Sequence, residues 1–402
     1  MHSKFSQNPR IPLLIMLMTI LGQASIALYL PAFLSIAQAL HFSPSTIKNT
    51  VTIFLLGFGL SQLIYGPLSD RYGRKPLLLV GILIFCLGCV INIFSKTSPV
   101  FLLARLIQGL GVGATLTNGR AILKDCFSGR DLASKASYAS MGFAIGFGVS
   151  PFIGAYLSHY FGWRTDFVFL LLAGLCLVWM LAKFLPETAP HLSVKTLILP
   201  LIKNTLTDYR FILSQLSFLQ FLLGGVFAYT VFVAYNVMTP LLIQGALGFS
   251  ENTYGQLALL VAIPYYSAAS LNRKLVLKFG TGPVFALGSV LIILSGLLML
   301  FSTWLHSNGP LIHLLYILVP MMGATFGQAL IFSNSIAGAL HPFSSELSGK
   351  ASALFSGLQI LLVSVFSALM AWIPDHTQLP LALIILLAGL FSGLALWTQI
   401  RQ

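Results

Sequence analysis

Acidic residues are scarce in this chain of 402 residues, which contains 9 Asp and Glu against 22 Lys and Arg. Charged residues of both signs make up only 8% of the sequence, whereas hydrophobic residues make up 57%. A soluble domain has roughly 25% charged residues, so the composition excludes a large water-soluble globule. The sequence instead predicts an all-α membrane protein that crosses the bilayer many times.

None of the nine acids and eight histidines is predicted to lie in the middle of a membrane span, where it could take part in buried chemistry. All of them fall in predicted loops or near helix ends. An enzyme that works inside the bilayer needs a nucleophile with a base, or a set of metal ligands, and a nucleotide hydrolase needs a GxxxxGK(S/T) loop; the sequence has none of these. We therefore expect no catalytic residue, no metal site and no cofactor.

Cysteine is rare as well, and the net charge of +13 is spread thinly. Cys86, Cys89, Cys126 and Cys176 lie within predicted helices or at their margins, where disulfides are not expected and small residues serve packing. The cations are scattered over short loops and form no contiguous basic groove, so the charge does not indicate nucleic-acid binding. The bilayer is the expected macromolecular environment.

Apolar segments long enough to cross a membrane are what the sequence has in abundance. A spanning helix needs about 20 apolar residues, because each residue rises about 1.5 Å through a layer roughly 30 Å thick. Twelve segments meet this condition. They are residues 11–34, 46–66, 77–95, 100–123, 136–158, 165–185, 212–243, 253–270, 282–304, 311–334, 350–372 and 380–400.

Lys and Arg are distributed unevenly between the two sides of these spans. An even number of spans places both chain ends on one face, and that face carries most of the cations, while the other has only Lys48, Lys96 and Arg164. Cytoplasmic loops are enriched in Lys and Arg, so both termini are expected in the cytoplasm. The first apolar run is longer than the 7 to 15 residues typical of a signal peptide, which predicts an uncleaved helix.

The longest connection, residues 186–211, contains three prolines and divides six spans from six. It predicts an N-terminal half over 1–185, a linker over 186–211 and a C-terminal half over 212–402. The loop after the second span reads GPLSDRYGRKP over 66–76. The division into six and six spans resembles the major facilitator superfamily, and the loop over 66–76 resembles the signature loop of that family.

This resemblance implies a conformational latch in the loop. Its members are Gly66, Asp70, Arg71, Gly73 and Arg74. A carboxylate at this boundary can interact with the positive N-terminal end of a helix from the other half, and the resemblance implies that this helix is the eleventh span. The alternative is a turn whose charges only set the topology.

The fourth span reads LLARLIQGLGVG over 102–113, similar to the family pattern for that helix. Arg105 lies well inside the span, where an arginine costs about 2.5 to 3.5 kcal/mol on insertion scales. We therefore expect Arg105 to face a cavity or a partner. Snorkelling of its side chain to the interface is the alternative.

Small residues in the fifth span are similar to the pattern that accompanies antiporters in this superfamily. The residues concerned are Gly142, Gly146, Pro151 and Gly154. The family usually has Gly before the proline, whereas Ser150 stands there in this chain. A helix that bends or packs where the two halves meet is expected, and ordinary helix packing is the alternative.

Further segments of the N-terminal half, and the start of the linker, resemble a narrower group, the Bcr/CflA-type drug/proton antiporters. They are NGRAILKD over 118–125, Trp163 with Arg164, and PET over 186–188. In the C-terminal half the loop from Leu271 lacks the aspartate and the ordered glycines of the signature. We therefore expect the Asp70 side to be the principal latch, with Arg120 as an ionic partner of Asp70.

Polar residues without charge are concentrated on the helices that line the pathway in the resembled fold. The candidate cavity residues are Gln23, Tyr29, Arg105, Gln108, Tyr229, Tyr235, Asn236, Gln328, Asn334 and Gln359. Amides and phenols on an apolar wall suit amphipathic molecules, and one arginine without a carboxylate favours neutral, zwitterionic or anionic compounds over cations. Hydrogen bonding between helices is the alternative for any single member.

The resemblance implies a secondary transporter of the bacterial-type inner membrane that exports small molecules by alternating access of its two halves. A dedicated carrier of an anionic or zwitterionic metabolite, such as a carboxylate siderophore, is the alternative. Proton coupling is expected from the family, yet the usual buried acid is missing. A boundary acid such as Asp70 or Asp125, a proton on the substrate, or uncoupled transport all remain open. We expect a monomer.

Overall fold

The computed structural model describes residues 9–189, 198–305, 309–374 and 377–400, and all their regular secondary structure is helical. Within these described ranges, twelve helices form the bundle. In chain order they are α1 (Arg10–Leu40), α2 (Pro44–Tyr72), α3 (Arg74–Phe94), α4 (Ser98–Cys126), α5 (Gly129–Phe161), α6 (Arg164–Phe184), α7 (Leu216–Ala246), α8 (Glu251–Phe279), α9 (Thr281–Ser302), α10 (Pro310–Leu340), α11 (Ser345–Ala371) and α12 (Leu379–Ala395).

Among the described residues, ten of these helices are long and apolar enough to cross a membrane. The helix α12 is apolar but only 17 residues long. The helix α8 has 29 residues but carries Glu251, Arg273 and Lys274. Several helices extend past the predicted apolar runs, since helical hydrogen bonding continues into the polar boundary; α5, for example, begins at Gly129 rather than near residue 136.

The first helix is interrupted near its middle. Its initial segment, Arg10–Ala27, is followed by a short 3-10 turn and by the segment Phe33–Leu40. Pro31 lies in the turn, and a proline both lacks the amide donor and clashes with the carbonyl four residues earlier. The break leaves the last carbonyls of the initial segment without helical partners.

The two faces of the bundle can be identified from contacts at the helix ends. Arg10, where α1 begins, lies over the ring of Phe184, where α6 ends, at 4.7 Å. Thr398 near the C-terminus hydrogen-bonds Gln220 at the start of α7. The start of α1 and the residues that follow α12 thus lie on one side, which we call the terminal face, and the opposite side is the distal face.

The residues that begin and end α2 are repeated in α8. These are the second helices of the two groups of six. Ser43 caps the start of α2 by accepting from the amide of Thr46 at 3.1 Å, and Ser250 caps α8 by accepting from Thr253 at 3.2 Å. Both helices end at a glycine with positive φ, Gly73 at 99° and Gly280 at 84°. Only glycine adopts this conformation without strain, so each sharp turn to the next helix needs it.

Two helix pairs join the first six helices to the last six. The helix α2 packs along α11, where a Cβ on Gly59 would lie 2.8 Å from the side chain of Leu361. The helix α5 packs along α8, where a Cβ on Gly148 would lie 2.5 Å from that of Ala262. Small residues therefore allow backbone approach across both junctions.

A separate linker helix, Ile198–Leu213, lies between α6 and α7 and occupies much of the connection expected over 186–211. The boundaries expected for the two halves, 1–185 and 212–402, stay a prediction.

Candidate functional site

A cavity of about 360 Å³ lies between the two groups of six helices, in the half of the bundle nearer the terminal face. On α1 its lining residues are Ile15, Thr19 and Gln23, which lie one helical turn apart on a single face. Ser356 and Gln359 line it from the first half of α11. Since α1 and α11 both begin at the terminal face, these residues fix the depth of the cavity.

Amide groups on three helices supply its hydrogen-bonding capacity. Gln23 Oε1, Gln62 Nε2 and Gln359 Nε2 are buried and have no hydrogen-bond partner, and all three residues line the cavity. A buried amide atom left unpaired costs about 1 to 3 kcal/mol. A ligand that offered a complementary group would remove this cost.

Aromatic rings form much of the remaining wall. Phe143 stacks on Tyr265 with centroids 5.2 Å apart, and Phe332 stacks on Tyr229 at 5.5 Å. Phe58 adds a fifth ring to the lining. Such a surface binds apolar parts of a ligand without requiring one shape.

Arg120 is the one charged residue among the described residues that line this cavity, and no acidic side chain lines it. The guanidinium of Arg120 donates to Ser356 Oγ, which connects α4 to α11. In a partly buried site an unbalanced positive charge attracts anions and disfavours cations. The cavity thus holds one guanidinium, as expected, but the residue is Arg120 rather than Arg105.

The structure does not place Arg105 in the cavity. Its side chain is fully buried, and both terminal nitrogens donate to the carbonyl oxygen of Ser25 at 3.1 Å. The ring of Tyr29 lies 4.3 Å below the guanidinium. Ser25 is in the last turn of the segment interrupted before Pro31, so Arg105 supplies the donors missing there, at the negative end of a helix.

Replacement of Arg105 by Met should therefore lower stability and leave substrate preference unchanged. The change removes both donors from Ser25 O, and a buried acceptor left unpaired costs about 1 to 3 kcal/mol. Gln108 Oε1 also loses one donor but keeps its hydrogen bond from Asn92. Thermal unfolding in detergent measures the first effect, and relative transport rates across a panel of substrates measure the second. Changed relative transport rates together with unchanged thermal stability would contradict this structural role of Arg105.

Two other predicted cavity residues belong to the same buried cluster. Tyr29 OH is hydrogen-bonded to Thr50 Oγ1 at 2.8 Å. Gln108 accepts from Arg105 at 2.7 Å and from Asn92 at 3.0 Å. Neither lines the cavity, because the groups that could face a ligand bind neighbouring helices.

The C-terminal candidates divide in a similar way. Tyr229 and Gln359 line the cavity, as Gln23 does in the first six helices. Asn334 instead donates to Asn272 Oδ1 at 2.7 Å, which joins α10 to α8. The other three, Tyr235, Asn236 and Gln328, are buried away from the cavity lining.

Ion pairs are concentrated around the loop between α2 and α3. Arg74 pairs with Asp70 at 2.5 Å and with Asp125 at 3.0 Å, and it donates to Ser69 Oγ at 2.6 Å. The expected pair between Asp70 and Arg120 is not formed. Arg74 begins α3 directly after the turn at Gly73 and pairs with Asp70 from there, whereas Arg120 donates to Ser356 of α11.

Glu187, from the connection that follows α6, caps the start of α3. Its carboxylate accepts from the backbone amides of Arg74 at 2.9 Å and Lys75 at 3.1 Å, which stabilises the positive end of that helix. Gly73 makes the turn before it. Arg71 lies over the ring of Tyr72 at 4.9 Å.

The same loop adjoins α11 at the terminal face. Gly66 is so close to α11 that a Cβ would lie 3.1 Å from that of Ala353. Asp70 shares a small cavity of about 60 Å³ with Gly349 and Lys350 in the first turns of α11. The structure thus brings Asp70 to the helix end that the family resemblance implied.

The linker helix also contacts α2 and α11 near the loop between α2 and α3. Asp208 forms an ion pair with Lys350, and the hydroxyl of Tyr209 donates to Leu63 O on α2 at 3.4 Å. Burial, assisted by the charge of Asp70, raises the pKa of Tyr209 to about 12, so the phenol remains a donor. The linker helix therefore contacts α2 and α11 together.

The fifth helix uses its small residues on two sides. An added Cβ on Gly142 would lie 2.5 Å from Met16 O, and one on Gly154 only 1.7 Å from Leu28 O, so these glycines pack on α1 within the first six helices. Gly146 packs beside Gln23 on the same helix. Pro151 faces α8, where Gly255 lies against its carbonyl.

At the distal face, Lys48 of α2 binds the end of α11. Its ammonium donates to Ile373 O at 2.6 Å and lies 3.5 Å from Met370 O, and the side chain is 1% exposed. A cation at the negative end of a helix is stabilising. Together with the hydrogen bond between Thr52 and Ser367 at 2.7 Å, this contact closes the α2–α11 junction at the distal face.

Replacement of Lys48 by Met should open that junction. Methionine keeps the apolar stem and removes the charged donor, whose hydrogen bonds contribute about 1.5 to 3 kcal/mol, so the open fraction should rise on the order of 10-fold or more. The readout is labelling of a Ser367→Cys reporter, buried in the structure, by a membrane-impermeant thiol reagent. Lys96→Met, an exposed cation of the same face, is the control; equal labelling in both variants would refute the prediction.

Comparison with known proteins agrees with this geometry. The family model described as Major Facilitator Superfamily matches residues 15–367. "Multidrug resistance protein D" of Escherichia coli (strain K12) is 28% identical over 387 residues, which cover 96% of this chain and 95% of that protein. "Bicyclomycin resistance protein homolog" of Haemophilus influenzae is 25% identical over 370 residues, with 91% and 89% covered.

Solved structures show the same arrangement of helices. The crystal structure of a D-xylose-proton symporter superposes with a TM-score of 0.76 at 16% sequence identity, over 95% of this chain and 96% of the symporter. At this identity the likeness shows the fold alone.

Proposed function

The chain belongs to the major facilitator superfamily, and we propose that it exports small amphipathic compounds that are neutral, zwitterionic or anionic. It is a multi-pass membrane transporter and not an enzyme. The observation that carries the proposal is the cavity: unpaired amides of Gln23, Gln62 and Gln359, stacked rings, one guanidinium and no carboxylate among its described lining residues. The names of the two relatives, both resistance proteins, support export rather than uptake.

Orientation in the membrane follows from the distribution of cations. We place the terminal face in the cytoplasm of a bacterial-type cell and the protein in its inner membrane, because Lys and Arg are enriched on that face. The cavity then lies on the cytoplasmic side, below a closed distal face. This conformation would take up a substrate from the cytoplasm and release it after the two halves rock about the cavity, as alternating access requires.

A dedicated carrier of an anionic metabolite, for example one with a carboxylate, is the second candidate. The position of Arg120 in the cavity favours it, since a guanidinium and a carboxylate form two parallel hydrogen bonds. Broad recognition is nevertheless better supported, because the stacked rings and unpaired amides around Arg120 impose no single arrangement of polar groups on the ligand.

Transport by purified protein in proteoliposomes tests the proposal. A panel of neutral, zwitterionic, anionic and cationic aromatic compounds should be measured with and without an imposed proton gradient. We expect several chemically different neutral and anionic compounds to be transported, with faster export when protons are driven inward. Transport of a single metabolite would favour the second candidate, and preference for cationic dyes would reject both.

The protein is expected to act as a monomer with a proton as co-substrate. Both expectations rest on family resemblance. The cavity itself offers no acid among its described lining residues, so a proton-binding group must be sought elsewhere in the molecule.

A further inference from the structure

Glu251 connects the two groups of six helices at the distal face. It is the first residue of α8, and its Oε1 accepts a hydrogen bond from Ser35 of α1 at 2.6 Å while Oε2 accepts one from Ser158 of α5 at 3.0 Å. One carboxylate of the last six helices therefore binds two helices of the first six.

Asp166 is a second acid in this region and has no such partners. It lies in the first turn of α6, its side chain is fully buried, and neither carboxylate oxygen has a hydrogen-bond partner. Glu251 is close enough for its charge to act on Asp166. An ionised carboxylate buried without donors is strongly unfavourable, and a second carboxylate nearby adds to the cost, so the closed arrangement requires a proton on Asp166.

The cations nearest in sequence or on neighbouring helices are bound elsewhere. Arg164 of the same helix donates to Ile93 O at 3.0 Å and lies over the Trp163 ring. Arg105 binds Ser25 O, and Lys48 binds the end of α11. None of the described ion pairs involves Asp166 or Glu251.

The other titratable groups on the packed helices are neutral hydrogen-bonding groups or point outward. Tyr29 of α1 is bonded to Thr50, and Tyr254 of α8 is 3.0 Å from Thr239 Oγ1. His159 of α5 is exposed and lies against Tyr160. On α3, Cys89 accepts from Gln108, and Cys86 lies beside Leu171 O of α6.

We propose that Asp166 and Glu251 form a proton-binding site that controls the distal gate. A proton from water on the distal side binds to the Asp166 carboxylate when α8 is separated from α1 and α5. The neutral acid can then be buried, Glu251 takes up its bonds to Ser35 and Ser158, and the gate closes. When the gate reopens, the proton returns to the same water.

This inference rests on the proposed function, because it assumes a distal gate that opens during transport. It adds the residues through which pH would act on that gate. Acidic conditions on the distal side should favour the closed state, and alkaline conditions should favour the open one. One proton bound to one state changes the ratio of closed to open by at most about tenfold per pH unit.

The test measures the gate directly and needs no substrate. Spin labels are placed at Phe161 and Trp304, which are exposed at the distal ends of the two groups of helices. The background is Cys176→Ala, because the other three cysteines are buried. Distances are measured in nanodiscs over a series of pH values.

In the labelled protein without further substitutions, we expect the population with the longer distance between the two labels to grow as pH rises. The ratio of open to closed protein should change by close to tenfold per pH unit. Asp166→Asn mimics the protonated acid and should stay closed at every pH. Glu251→Gln removes the like charge, so its closed state should persist to higher pH than that of wild type. Asp131→Asn, an exposed acid of α5 at the terminal face, is the control and should behave as wild type.

A wild-type gate without a pH response, or the same response in Asp166→Asn, would overturn the proposal. If Asp166→Asn is poorly folded, the double variant Ser35→Ala with Ser158→Ala replaces it, and this variant should shift the opening to lower pH. No shift in that variant would count equally against the site. A failure of export in proteoliposomes with an intact pH response would instead reject the proposed function alone.

Discussion

Replacement of Arg120 by Gln is expected to slow the transport of anionic compounds by on the order of 10- to 100-fold and to leave neutral compounds close to wild type. A hydrogen bond to a charged group contributes about 1.5 to 3 kcal/mol, whereas one between neutral groups contributes about 0.5 to 1.5 kcal/mol. A loss of about 1 kcal/mol at each of the two parallel bonds that a guanidinium makes to a carboxylate corresponds to a factor within this range. Because no other charged residue lines the described part of the cavity, nothing replaces the lost charge. Transport of matched anionic and neutral compounds in proteoliposomes measures the change.

Lys124→Gln is the matched control for this experiment. Lys124 lies one helical turn beyond Arg120 on α4 and donates to Ser348 Oγ of α11 at 3.0 Å, so both variants lose a cation and a contact between α4 and α11. Only Arg120 faces the large cavity. Equal losses in the two variants would show that the contact, and not the charge in the cavity, determines transport.

Gly154→Ala is expected to destabilise the protein strongly. A Cβ at this position would lie 1.7 Å from the carbonyl oxygen of Leu28, and the neighbour is backbone, which cannot rotate away. Overpacking of a buried site costs about 1 to 3 kcal/mol or more. Thermal unfolding in detergent should therefore show a clear drop in melting temperature together with less folded protein.

Gly22→Ala provides the comparison, since its nearest neighbour outside the local helix is Thr115 Oγ1 at 3.7 Å. Alanine is the better helix former by about 1 kcal/mol, so this variant should be as stable as wild type or slightly more so. If Gly154→Ala unfolds at the temperature of Gly22→Ala, the tight packing of α5 on α1 is wrong.

Composition and hydropathy predicted the architecture because bilayer thickness imposes a length on every span. The twelve spans, their division into six and six, and the turn at Gly73 are all readable from runs of apolar residues and from one loop. The family resemblance implied the proximity of Asp70 to α11. These features depend on local sequence and on constraints that every such protein shares.

Partners across the bundle could not be predicted in the same way. Arg105 and Arg120 belong to one helix, and the sequence gives their depth but not their neighbours. Arg105 binds a carbonyl freed by the break before Pro31, whereas Arg120 faces the cavity. The first could have been suspected from the proline, since a broken helix exposes carbonyls. Asp166 gave no signal, because its burial depends on how α6 packs.

The cavity lining left a faint pattern in the sequence. Ile15, Thr19 and Gln23 recur every four residues on α1, and Ala136, Ala139, Ser140 and Phe143 follow helical spacing on α5. A stripe of small and polar residues in an apolar helix is a weak signal for a pathway, since helix packing uses the same residues. Selecting single polar residues therefore found Gln23, Tyr229 and Gln359 but missed Phe143, which is apolar.

Among its described lining residues, the cavity carries one guanidinium and no carboxylate. Equilibrium binding of three isosteric aromatic compounds, which differ only in bearing a carboxylate, a carboxamide or an ammonium group, tests it most directly. We expect the tightest binding for the carboxylate and at least about tenfold weaker binding for the ammonium compound, since buried like charges repel. Tightest binding of the ammonium compound would contradict it.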